Sequence, residues 1–89
     1  NAEKAFNLYQ EAEKNFSKAV ELEPDNPEYR FLLGNTYFGL TEDDKALEQY
    51  QKGIELAREE GKNELVRLMQ GQIKKIQELK EKRERGKNK

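Results

Sequence analysis

Apolar residues recur at steps of three and four through most of the chain, with polar residues filling the gaps. Ala2, Ala5, Tyr9, Ala12, Phe16 and Ala19 form the first stripe, with Phe6, Val20 and Leu22 beside it and Glu3, Lys4, Glu11, Lys14 and Lys18 off it. This spacing follows the turn of an α-helix and predicts one amphipathic helix over residues 2–23. It must stop at Glu23-Pro24-Asp25-Asn26-Pro27, which holds both prolines of the chain. Asn26 supplies an N-cap, and Pro27 suits the first helical position, where its missing N–H costs nothing, so a second helix is predicted over 27–40. A third is predicted over 42–60. Thr41 is placed to cap it through its hydroxyl, Glu42, Asp43 and Asp44 sit at the positive end of its dipole, and Gly61 is a natural terminator. Its stripe is Ala46, Leu47, Tyr50, Ile54 and Ala57. The last helix, over 63–84, carries Leu65, Leu68, Met69, Ile73, Ile76 and Leu79 and is expected to fray into a basic tail at 85–89. No segment alternates as a strand does. The fold class read from the pattern is therefore all-α: four helices whose short connections make antiparallel neighbours.

Composition narrows the chemistry. Of 89 residues, none is Cys, His or Trp, while 17 are Lys or Arg and 18 are Asp or Glu. Without Cys or His there is no nucleophile relay of the Ser-His-Asp or Cys-His kind, no Cys/His zinc site and no disulfide framework. Ser17, Thr36 and Thr41 have no histidine base, no Gly-rich phosphate loop is present, and Glu42, Asp43, Asp44 and Glu48 lack calcium-loop spacing. No catalytic residue, metal ligand or cofactor site is assigned. No apolar run has the length of a membrane span or a signal-peptide core, and the cytoplasm is the compartment this composition favours. The net charge of −1 conceals an asymmetry: residues 1–60 carry 14 acidic and 7 basic side chains, residues 61–89 carry 4 and 10. The basic end (Lys74, Lys75, Lys80, Lys82, Arg83, Arg85, Lys87, Lys89) holds no aromatic residue for base stacking, which argues against nucleic acid as a partner.

An internal repeat is visible at an offset of 34 residues, where Ala12, Phe16, Ala19 and Leu22 meet Ala46, Tyr50, Gly53 and Leu56. With Leu33-Gly34, Tyr37, Ala46 and Tyr50 in place, residues 27–60 resemble one complete tetratricopeptide repeat. Gly34 and Ala46 suit the close approach of two helices, and Tyr37 and Tyr50 fill the space beside them. Residues 9–26, with Tyr9, Ala12, Phe16, Ala19 and the turn at Pro24, resemble the second half of a preceding repeat, and 61–84 reads as a capping helix within a single domain over 1–89. Three departures stand out: Arg30 where the family often has Trp, Gly53 where Ala is usual, and Arg58 where a proline normally closes the second helix. The third helix accordingly runs on, as in the longer repeats of signalling adaptors. One complete repeat with flanking halves is fewer than the roughly three that stacking normally needs. With Asn1 rather than Met at the start, the expectation is a piece of a longer or engineered repeat protein, or a chain that self-associates as a homo-oligomer through its first or last helix.

The resemblance implies a non-catalytic protein–protein interaction module. It places Glu28, Phe31, Asn35, Phe38 and Gly39 on the wall of a groove that takes an extended or helical peptide, with Lys62 near by. The second helix supports this independently, because Tyr29, Leu32, Leu33, Tyr37 and Leu40 make it apolar nearly all round. A partner peptide, the last helix folded back as a lid, or a second copy is needed to cover Phe31 and Phe38. Family members that clamp a C-terminal carboxylate use Lys and Asn there. Asn35 matches, but Phe31 stands in place of the Lys and Val66 in place of an Arg, which points to a more hydrophobic ligand. The other functional class is a structural repeat scaffold without a dedicated ligand.

Overall fold

The computed structural model describes residues 2–87, and among them it contains four helices and no strand: α1 Ala2–Leu22, α2 Pro27–Gly39, α3 Asp43–Glu59 and α4 Asn63–Lys87. Each helix packs on the next, and α2 also touches α4. The bounds follow local chemistry. Asn26 Oδ1 accepts from the Tyr29 backbone N–H at 3.1 Å, and Pro27 occupies the first turn, as the pattern required. At the end of α3, Gly61 (φ 71°) donates to Arg58 O at 3.1 Å and Lys62 N–H reaches back to Ala57 O at 2.9 Å. That pair of bonds closes a helix with a left-handed residue after its cap.

The end of α2 uses the same device with a different residue. Thr41 N–H donates to Phe38 O at 3.0 Å and Glu42 N–H to Tyr37 O at 2.9 Å, with Thr41 at φ 60°. Thr41 therefore terminates α2 and does not cap α3, contrary to the sequence reading: its hydroxyl donates to Leu40 O, and α3 starts from Glu42 without any side-chain cap. The fraying expected at 85–89 also needs correction, since α4 continues as helix to Lys87; residues 88 and 89 lie outside the described residues.

The core is built around α3. Ala46, Tyr50, Ile54 and Ala57 pack with Val66, Met69 and Ile76 of α4, and Phe31, Tyr37, Phe38, Leu47, Leu65 and Ile73 close the margin. Three glycines set how near the helices come. A Cβ on Gly34 would meet the Tyr50 ring at 2.6 Å, one on Gly39 the Tyr9 ring at 2.5 Å, and one on Gly53 the Met69 sulfur at 2.7 Å. Each interhelical contact, α2 on α3, α1 on α2 and α3 on α4, thus has one glycine seat for a large side chain. By contrast α1 has no buried residue, and Phe6, Leu8, Tyr9 and Leu22 stay substantially exposed.

Candidate functional site

An open groove of about 530 Å³ runs along the junction of α1 and α2 and reaches α4. Tyr9, Ala12 and Phe16 of α1 form one wall, Leu32, Asn35, Thr36, Phe38 and Gly39 of α2 the floor, and Gln72 of α4 the far edge. The stripe of α1 that repeats at three and four supplies the first wall, because one turn and then one turn more return Tyr9, Ala12 and Phe16 to the same side of the helix. Its lining is mostly apolar. The Thr36 hydroxyl is spent on Leu32 O at 2.9 Å, which leaves Asn35 and Gln72 as the amide groups at the rim.

Those two amides are tied to the core. Asn35 Oδ1 accepts from the Tyr50 hydroxyl and, at 3.2 Å, from Gln72 Nε2, so α2, α3 and α4 meet at one oxygen. With the carbonyl oxygen occupied twice, the Asn35 amide nitrogen is the group left to address a ligand. Tyr50 is fully buried, and burial pushes its phenol up to about 12 while the hydrogen bond with Gln72 works in the opposite direction. The hydroxyl is therefore a permanent donor at ordinary pH, and it fixes which way Asn35 points.

The residues singled out from sequence fall into three places. Asn35 and Phe38 line the groove. Phe31 turns to the Tyr50 ring, with centroids 6.3 Å apart and planes tilted by 47°, and is half-buried at the core margin. Glu28 and Lys62 join each other at 2.8 Å beside the α1–α2 turn, away from the groove, and Lys62 also holds Glu60 at 2.9 Å. The Lys62 hydrogen bond holds the Glu28 carboxyl below its ordinary value, and the Glu28 and Glu60 bonds raise the Lys62 ammonium. A mutually satisfied pair of this kind holds α2 and α4 in place at their N-terminal ends. Sequence reasoning missed Tyr9, Ala12, Phe16, Leu32, Thr36 and Gln72 as groove residues. The α1 stripe was the available signal, but nothing in the local pattern reveals whether another helix covers it. Among the described residues no group of His, Cys, Asp or Glu is placed to hold a metal ion, and no helix is long and apolar enough to cross a membrane.

Comparison with known proteins supplies the relationship. A family model described as TPR repeat matches residues 1–40, and one described as Tetratricopeptide repeat matches 27–60. A tetratricopeptide repeat domain protein from Salinibacter ruber superposes with a TM-score of 0.67 at 31% identity, covering 89% of this chain and 98% of that one. The chain belongs to the tetratricopeptide repeat family. No curated protein sequence matches it. Tetratricopeptide repeats generally mediate protein–protein interaction and are typically not catalytic. The helical-hairpin geometry of the family fits the contacts above: α2 and α3, within the matched residues 27–60, form one hairpin, with α1 packed on α2 and α4 on α3.

Proposed function

We propose that the chain binds a hydrophobic peptide or partner helix in the groove between α1 and α2, with Phe38 and Phe16 as apolar contacts and the Asn35 amide as a polar one. The observation that carries this reading is the open apolar lining of Tyr9, Ala12, Phe16, Leu32 and Phe38 around a fixed amide. Concave, largely apolar sites with a few convergent polar groups are where ligands bind. A C-terminal carboxylate clamp is disfavoured by the same arrangement. Lys62, beside the start of α2, is engaged by Glu28 and Glu60, Lys45 lies over the Tyr37 ring and pairs with Glu42, and Phe31 occupies the position from which a cation would reach the ligand.

Selection of a displayed peptide library against the 89-residue chain tests the reading. Apolar peptides should emerge whose affinity falls about tenfold on Phe38→Ala, measured under conditions where the variant stays folded because Phe38 also borders the core. Phe31→Ala should behave differently: it removes a ring from the edge of the Tyr50 cluster, lowering stability by about 2 kcal/mol, and affects binding only through unfolding. Peptides that bind undiminished to Phe38→Ala, or a library that yields none, would favour the scaffold reading instead.

A further inference from the structure

We propose that α1 pairs with α1 of a second copy of this chain, antiparallel about a two-fold axis, through the face carrying Ala5, Leu8, Ala12, Asn15, Ala19 and Leu22. These residues repeat at steps of three, four, three, four and three, the seam period at which two helices pack side by side. Ala5, Leu8, Asn15 and Leu22 are exposed, Leu8 to 61% and Leu22 to 70%, while Ala12 and Ala19 are half-buried. The face is also distinct from the side that carries Tyr9 against Gly39. The pairing does not rest on the peptide reading, although the seam shares Ala12 with the groove wall, so a second copy seated there would compete with a peptide.

Size and charge select the occupant and its direction. Turning α1 end over end about its centre sets residue 5 against 22, 8 against 19 and 12 against 15. Each exposed leucine then lands on an alanine of the other copy, so large and small side chains interdigitate along the whole seam. A parallel pairing would stack Leu8 on Leu8 and leave the alanines facing each other across a gap. The flank gives the same answer. Glu11 and Lys18 are exposed beside the seam, and in the antiparallel arrangement Glu11 falls opposite residue 16, two residues or about 3 Å along the axis from Lys18 of the other copy. The two-fold axis makes two such opposite-charge pairs. In a parallel pairing each flank faces the opposite flank of the other copy, so Glu11 and Lys18, which lie on the same flank, would not meet. Asn15 is the one polar residue in the seam and faces Ala12 near the axis, the kind of position at which an amide fixes register.

Sedimentation equilibrium of the whole chain, from low micromolar to millimolar concentration, should show a reversible monomer–dimer equilibrium. Leu8→Glu should weaken it at least about tenfold with unchanged helicity, since Leu8 is 61% exposed within its own copy. Glu11→Lys should weaken it about fivefold, and adding Lys18→Glu should restore it. Because the chain has no cysteine, register can be read directly. Leu8→Cys and Ala19→Cys variants, mixed and oxidised, should give the mixed disulfide in preference to either homodimer. A monomer at every concentration overturns the proposal, as does a dimer indifferent to Leu8→Glu but broken by Leu68→Glu on α4, which would mean head-to-tail stacking. Homodimeric disulfides in place of the mixed one, or a charge swap that fails to restore pairing, overturn it as well.

Discussion

Thr41 sits at the left-handed position that closes α2, and Gly61 occupies the equivalent position after α3 with the same two backbone bonds. A β-branched residue there holds its Cβ against the following carbonyl, at a cost of about 1–2 kcal/mol, whereas glycine is free of that clash. Glycine also loses more backbone freedom on folding, which offsets part of the gain. Thr41→Gly should therefore raise stability by up to about 1 kcal/mol, measured as a higher urea midpoint with an unchanged slope. Tyr50 makes a different prediction. The unfolded phenol ionises near pH 10, whereas the buried one is held protonated to about 12. Between those values the unfolded chain binds fewer protons than the folded one, so stability falls as pH rises, while below about pH 10 the contribution is complete. Lys62, raised by Glu28 and Glu60, adds a salt-sensitive loss of the same sign as pH rises past the ordinary lysine value. Urea midpoints at a series of pH values from about 9 to 12 should decline, and Tyr50→Phe should make that decline shallower.

Among the helices, what local pattern could announce differs from what packing alone decides. The stripes, the proline turn, Asn26 and Gly61 each act within one turn of the chain, and all four helices could be read from them. Thr41 was misread because a hydroxyl before three acidic residues suits an N-cap equally well, and only the backbone turn shows that α2 has the stronger claim on it. Gly53 looked like a helix-weakening replacement of Ala. In the folded chain it is a seat, because a Cβ there would press on the Met69 sulfur and stand 3.1 Å from Arg30 Cβ. Arg30, read as a departure from the family's Trp, donates to Pro24 O at 3.0 and 3.1 Å and to Gln49 at 3.0 Å, pinning the α1–α2 turn to α3. Six of the nine groove residues were likewise hidden. Asn35 and Phe38 lie on a helix with an evident apolar surplus, whereas Gln72 is an ordinary polar residue until α4 is laid against α2 and α3.

For the molecule as a whole, the charge asymmetry of the sequence becomes a contact. Lys80 meets Asp44 and Arg83 meets Asp43, both at 2.9 Å, so the basic half of α4 is drawn across the acidic start of α3. Asp43 is 7% exposed and has no hydrogen-bond partner, so the nearby guanidinium is what compensates its burial. Helices α2 to α4 are therefore joined by apolar packing, an amide network and ion pairs, whereas α1 leans on one neighbour and buries no residue of its own. That imbalance divides the chain into two cooperative units. In native-state hydrogen exchange, the amides of α1 should open at a free energy well below that of global unfolding and with a smaller denaturant dependence than the global transition, which those of α3 should join. Protection of α1 alone should grow with protein concentration, so that the least stable part of the monomer is the part association would rescue.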